Sequence, residues 1–185
     1  LIRDGVLGEI VLVRGEWHTA YPAWKNWRAD PARSGSDVLG AVGVHVFDLL
    51  NYLLEADAES IEARVNRDPR SGLDSTIAAV IGYDNGTTGA VTITNRARSL
   101  VNSVHVLGTK GSAVGVGTLG MAPTGRLDLV IDGKEERREL PVVDLSAVQF
   151  EAFSRACATG ETPNASGTDG LNSIALTRRI LVAKK

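Results

Sequence analysis

In the stretch GSDVLGAVGVHVFDLLNYLL, residues 35–54, a histidine and an aspartate interrupt an otherwise apolar run. The histidine is His45 and the aspartate, three residues on, is Asp48. An imidazole gains and loses its proton near neutral pH, and a neighbouring carboxylate can fix its tautomer or raise its basicity. Such a pair can take a proton from a hydroxyl. The same two residues also suit a structural role, a buried and hydrogen-bonded histidine that packs its helix on a sheet.

These residues belong to a helical pattern from Ser36 or Asp37, either of which can cap it, to about Leu54. On that helix Val38, Ala41, Val42, His45, Asp48, Leu49 and Tyr52 share one side by spacing. Gly40 and Gly43 inside it point to the close approach of a backbone or a ligand, since glycine weakens a helix.

Around the helix the pattern is mostly β. A strand is expected at 9–19, then a long loop at 20–36 holding Trp24, Trp27 and Arg28. Further strands are expected at 59–66, 75–84, 87–95, 102–108, 112–117, 126–131 and 135–141, with hairpins at Asn85-Gly86 and Asp132-Gly133. Two helices close the chain at 144–159 and 167–183, the first with Phe150, Phe153 and Ala156 on one face. One helix, a run of hairpin-linked strands and two helices predict an α+β fold, an open and largely antiparallel sheet with helices on one face. The other sheet face needs a cover, and a second copy of the chain is the simplest one.

The chain of 185 residues fits one domain, with 43% hydrophobic residues and a net charge of −2. No basic field is present for a nucleic acid and no Lys/Arg cluster for an anionic membrane. The charged run KEERRE, 134–139, reads as a solvated edge strand. The apolar run around His45 reads as too short and too polar to span a membrane. The single cysteine, Cys157, fits a reducing compartment such as the cytoplasm and is expected in the core. The opening LIRDGVLGEI reads as part of a longer polypeptide. Residues 115–120, GVGTLG, satisfy G-x-G-x-x-G, but a strand pattern follows them where a dinucleotide site needs a helix. No cofactor is expected there, and no metal site is read anywhere.

Several segments, in order, carry a resemblance: LIRDGVLGEIVLVRGEW, WRADPARSGSDVLGAVGVHVFDLLNYLL, GLDSTIAAVIGYDNGTTGAVTITN, HVLGTKGS and QFEAFSRACATGETPNASGTDGLNSIALTRRIL. Over nearly its whole length the chain resembles the C-terminal domain of the glucose–fructose oxidoreductase / inositol dehydrogenase (Gfo/Idh/MocA) family. The resemblance implies a two-domain oxidoreductase. A Rossmann domain, absent from this chain, would bind NAD or NADP. The present domain, residues 1–185, would bind a sugar, inositol or related polyol and form the homo-oligomer. The fragment alone is expected neither to bind the cofactor tightly nor to turn over.

Carried over residue by residue, the family's active-site histidine falls on His45. The segment with Trp24, Trp27 and Arg28 would border the substrate cleft, with Trp17 and His18 close by, Asp48 on the same helix, and Arg98 and Arg96 as weaker candidates for a substrate anion. Against this, Trp27 can plug the helix–sheet edge while Arg28 pairs with Asp30, and His105 reads as structural. The family's usual aspartate four residues before the histidine is Ala41 here, and no Glu-Lys-Pro lysine is present. A catalytically weak relative that binds a ligand or acts as a scaffold is therefore the alternative.

Overall fold

The computed structural model describes residues 1–20, 25–120 and 124–183. An eight-stranded sheet runs in the order β2-β3-β4-β1-β5-β6-β7-β8. Its central strand is β1 (Ile10–Ala20), flanked by β4 (Thr88–Thr94) and β5 (Arg96–Gly108). On one side lie β3 (Asp74–Tyr83) and the edge strand β2 (Ala58–Arg67). On the other lie β6 (Gly111–Val116), β7 (Arg126–Ile131) and the edge strand β8 (Lys134–Glu139). Among the described residues only β1 and β4 pair in parallel, because the chain crosses from β1 through a helix before the β2–β3–β4 meander returns beside it. The open, mainly antiparallel α+β architecture read from the sequence is what the chain adopts.

Local chemistry explains the joints. At Asp132-Gly133 both residues take positive φ, 50° and 75°, as a two-residue hairpin requires. Asn85-Gly86 turns differently: only Gly86 is left-handed, at φ 82°, and the Asn85 side chain accepts the Thr87 amide at 3.0 Å. The sequence marked the turn correctly but not its type.

The helices are α1 (Pro31–Ser34), a π-helical turn over Leu39–Gly43 that runs into α2 (Val44–Leu54), α3 (Leu145–Thr159) and α4 (Gly167–Val182). The long loop before α2 thus contains short helical turns, at Trp27–Ala29 and α1. The core lies between α2 and the sheet. Val38, Leu39, Val42, Val46, Phe47 and Leu50 are buried against Val13, Ile77, Ile81, Val91 and Ile93. Burial recurs at every fourth residue, 38, 42, 46, 50 and 54, because the wide π turn slows the helical rotation. This corrects the face read from spacing: Val38 and Val42 point into the core, while His45 and Tyr52 are exposed on another side.

Further corrections follow from packing. The helical stretch Pro31–Leu54 has 24 residues and a mean hydropathy of 1.4 over its best window, so by length and composition it could span a membrane. Its apolar side is instead used on the sheet. Cys157 is exposed rather than in the core. On α3 only Ala156 is buried, whereas Phe150 is 71% and Phe153 59% exposed. The charges of β8 are all exposed on an edge strand, as expected. α4 is tied to the opposite edge by Arg179, which donates to the carbonyls of Ala58 and Glu59 at 2.7 Å each.

Candidate functional site

His45 stands at the head of α2, just past the π turn, with its side chain exposed. The ring of Trp17, on β1, faces it: the centroids lie 6.0 Å apart and the planes are tilted by 35°. Close packing beneath sets this juxtaposition. Gly15 lies two residues before Trp17 on the same strand face, and a side chain there would run into Val46 of α2. Gly43 is likewise crowded by the core around it: a methyl group on it would lie 3.1–3.3 Å from side-chain atoms of Leu39, Ile93 and Phe47. The close approach read from the glycines is therefore helix against sheet. Gly40, by contrast, meets only Ser36.

The start of the helix is held from β3. Asp74, fully buried, accepts the Asp37 amide at 2.7 Å, the Leu39 amide at 2.7 Å and the Ser36 hydroxyl at 3.1 Å. Its carboxylate supplies the acceptors that the first helical amides lack. Ser36 also caps, accepting the Gly40 amide at 3.0 Å. Asp37 accepts a hydrogen bond from the Asn95 side-chain amide at 2.7 Å. The sequence carried no sign of Asp74, because the fold alone brings it 35 residues back to Leu39.

Asp48 follows His45 along α2 and borders a polar cleft between α2 and α4. Asn51, Tyr52, Asp84, Asp169 and Asn172 also line the cleft. Partial burial, then the charge of Asp169, pushes the Asp48 carboxyl above its usual range, while His45 pulls the other way. Asp169 is held low by the Ser166 hydroxyl and amide of the α4 capping box. Carboxylates and carboxamides of this kind are the groups that bond to hydroxyls.

The remaining expected residues separate. His18 lies on the opposite face of the sheet from Trp17, since neighbours on a strand alternate, and its Nε2 is 2.9 Å from the Thr92 hydroxyl. That face also carries the Arg14–Glu16 ion pair, Ser103 and His105. Trp27 is 50% exposed and plugs no edge; the Arg28 guanidinium lies 5.5 Å from its ring centre. Asp30 caps α1 through the Ala32 amide at 2.9 Å. Arg96 and Arg98 lie within β5, not in a connection between strands, with Arg96 exposed. Trp24 lies outside the described residues.

The glycines of the G-x-G-x-x-G match sit at the end of β6 and in the loop beyond, with φ 70° at Gly117 and 150° at Gly120. The next described element along the chain is strand β7, where the fingerprint needs a helix. Among the described residues no group of three or more His, Cys, Asp or Glu is placed to hold a metal ion.

Residues 1–114 match the GFO/IDH/MocA C-terminal domain family, and the chain belongs to it. It is 24% identical over 178 residues to 1,5-anhydro-D-fructose reductase of Ensifer adhaerens, covering 94% of this chain and 53% of that protein. The aldose-aldose oxidoreductase of Caulobacter crescentus, solved with glycerol, superposes with a TM-score of 0.89 at 21% identity, over 99% of this chain and 56% of its own. A levoglucosan dehydrogenase solved with NADH and L-sorbose gives 0.84 at 20% identity, over 98% and 58%. A 3-ketoreductase of Actinomadura kijaniata, solved with NADP, gives 0.84 at 20% identity, over 98% and 56%. The chain thus spans little more than half the length of each of these relatives.

Proposed function

We propose that this chain is the substrate-binding and oligomerisation domain of a cytoplasmic oxidoreductase acting on a sugar, inositol or related polyol. The observation that carries the reading is the exposure of His45 against Trp17. A histidine that only packed its helix would point at the sheet, as Val42 and Val46 do. His45 instead presents an imidazole to solvent, flanked by an aromatic ring that can stack on the apolar face of a sugar. It would take the proton from a substrate hydroxyl, or return it to the oxygen in the reverse direction. Trp17 and Asp48 would orient the hydroxyls, with Trp27 and Arg28 bordering the approach. His18, on the opposite face of the sheet, is a poor partner for that site. NAD or NADP supplies the hydride chemistry of such enzymes, and a cofactor domain elsewhere in the polypeptide would hold it.

The open sheet face is read as the contact between copies. It mixes Arg14, Glu16 and His105 with exposed Val80 and Val130. Ala41 favours a second reading, a ligand-binding relative of low activity, because no carboxylate precedes His45 by a turn.

The test is His45→Asn in the whole protein assayed on a panel of aldoses and polyols with NAD and NADP. The expected loss in kcat is about 10²–10⁴-fold, the usual contribution of a positioned acid/base, with folding unchanged. An active protein indifferent to this substitution overturns the catalytic role. A whole protein that binds sugars without turnover, and gains none from Ala41→Asp, favours the second reading.

A further inference from the structure

Of the asparagines in the sequence, Asn85 alone is followed by glycine. It stands at the tip of the β3–β4 hairpin, exposed, with Gly86 exposed beside it. Among the described residues nothing lies within 4 Å of the place a Cβ would take on Gly86, so the tip is open around its main chain. The Asn85 side-chain oxygen accepts the Thr87 amide at 3.0 Å, an Asx turn. That bond closes a small ring through Cγ of Asn85 and the nitrogen of Gly86, so the two atoms are held near each other. The Thr87 amide also points at the oxygen that would gain negative charge if Cγ were attacked, and a donor so placed favours the attack. Against it stands the bond from the Gly86 amide to the Tyr83 carbonyl, 3.0 Å long. At an exposed hairpin tip such a bond opens at little cost.

We propose that Asn85 is a site of spontaneous covalent modification in the folded protein, its carboxamide being converted to a carboxylate through attack by the Gly86 nitrogen. Hydroxide takes the proton of the Gly86 amide. The nitrogen bonds to Cγ of Asn85, the Cγ–Nδ2 bond breaks, and ammonia leaves with a proton from water. The product is a cyclic imide. Water then opens it at either carbonyl. Opening at Cγ leaves an aspartyl residue, and opening at the backbone carbonyl leaves an isoaspartyl residue whose main chain runs through the former side chain. No atom is oxidised or reduced in any step.

The tip is tied to β1 and to the residue before β2. The Tyr83 amide donates to the Thr87 carbonyl at 3.0 Å, and the hydroxyl of the buried Thr87 donates to the Ile10 carbonyl at 3.1 Å. The Asp84 amide donates to the Asp57 carbonyl at 3.0 Å, and the Asp84 carboxylate accepts the Asp57 amide at 3.2 Å. An isoaspartyl link adds a methylene to the main chain inside these ties and pulls Thr87 out of line with Tyr83. Either product sets a new negative charge next to Asp84, which lines the polar cleft together with Asp57. Modification therefore loosens the end of the hairpin that borders that cleft.

The experiment keeps the folded 185-residue chain at mildly alkaline pH and maps its peptides by mass spectrometry over time, with enzymatic methylation of isoaspartyl groups as a second readout. Isoaspartyl and aspartyl products are expected at position 85 while the other asparagines stay intact, at a rate that rises with hydroxide concentration. The aged chain melts lower by about 2–4 °C, the shift that one lost hydrogen bond produces in a chain of this size. Asn85→Gln, which has to close a larger ring, removes the isoaspartyl signal; if that variant does not fold, peptide mapping of the unsubstituted chain decides. An Asn85 that is modified only when urea unfolds the chain overturns the inference, since the bond from Gly86 to Tyr83 then guards the site. So does modification spread evenly over the asparagines.

Discussion

Trp17 and His45 meet across the contact between β1 and α2, ring against ring at 6.0 Å, although 28 residues separate them. Trp17 is held by the central strand of the sheet and His45 by the helix above it. The imidazole is exposed, so removing it should cost the fold little. His45→Ala is expected to shift unfolding free energy by less than about 0.5 kcal/mol. Urea titration of the isolated chain checks this, and a loss of several times that size would return His45 to the core.

Gly15 sets the distance between those two elements. Gly15→Ala places a methyl against Val46 and at 3.7 Å from Leu50 Cδ1. The expected cost is about 1–3 kcal/mol, the range for overfilling a packed core. The same displacement of α2 should lower kcat in the whole protein if His45 is its acid/base, without removing any polar group.

Asp74 anchors the start of the helical stretch with three hydrogen bonds to one buried carboxylate. Asp74→Ala leaves the amides of Asp37 and Leu39 without an acceptor. About 2–4 kcal/mol is expected to be lost, and equilibrium unfolding of the isolated variant measures it. Asp74→Asn keeps an acceptor oxygen and should fall between the two.

Asp48 and His105 give opposite pH signatures. The Asp48 carboxyl titrates above its ordinary 3.8, first through burial and then through Asp169, so its charged form is the one that folding disfavours. Its contribution is fully present below about 3.8 and is lost as pH rises through the higher folded value. Asp48→Asn should therefore unfold at higher urea than the parent at pH 7, and the gap should close as pH falls to about 3.

His105 titrates below its ordinary 6.5, through burial and then the Arg14 charge, with Glu16 opposing. The unfolded chain takes up the proton first, so stability falls as pH drops through 6.5 and flattens only below the folded value. His105→Gln should flatten that part of the stability curve between about pH 5 and 8. An unchanged slope would place the titrating group elsewhere.

The sequence by itself determined the elements and their kind. Period-two patterns, the Asp132-Gly133 turn and the charged edge strand are local signals, and local backbone preferences decide them. It also singled out His45, because a titratable group in an apolar helix is conspicuous in any reading. Only the tertiary structure decided which way that histidine points. A π turn over Leu39–Gly43 shifts the phase of the helix, and its pull comes from packing against Ile93 and from the grip of Asp74, neither of which is near it in sequence. The same holds for Trp17 and His18. Alternation guarantees that they part, but it takes the strand order and the position of α2 to say that Trp17 is the one beside His45. Side-chain direction is a property of what an element packs on, and that partner is fixed by contacts far apart along the chain.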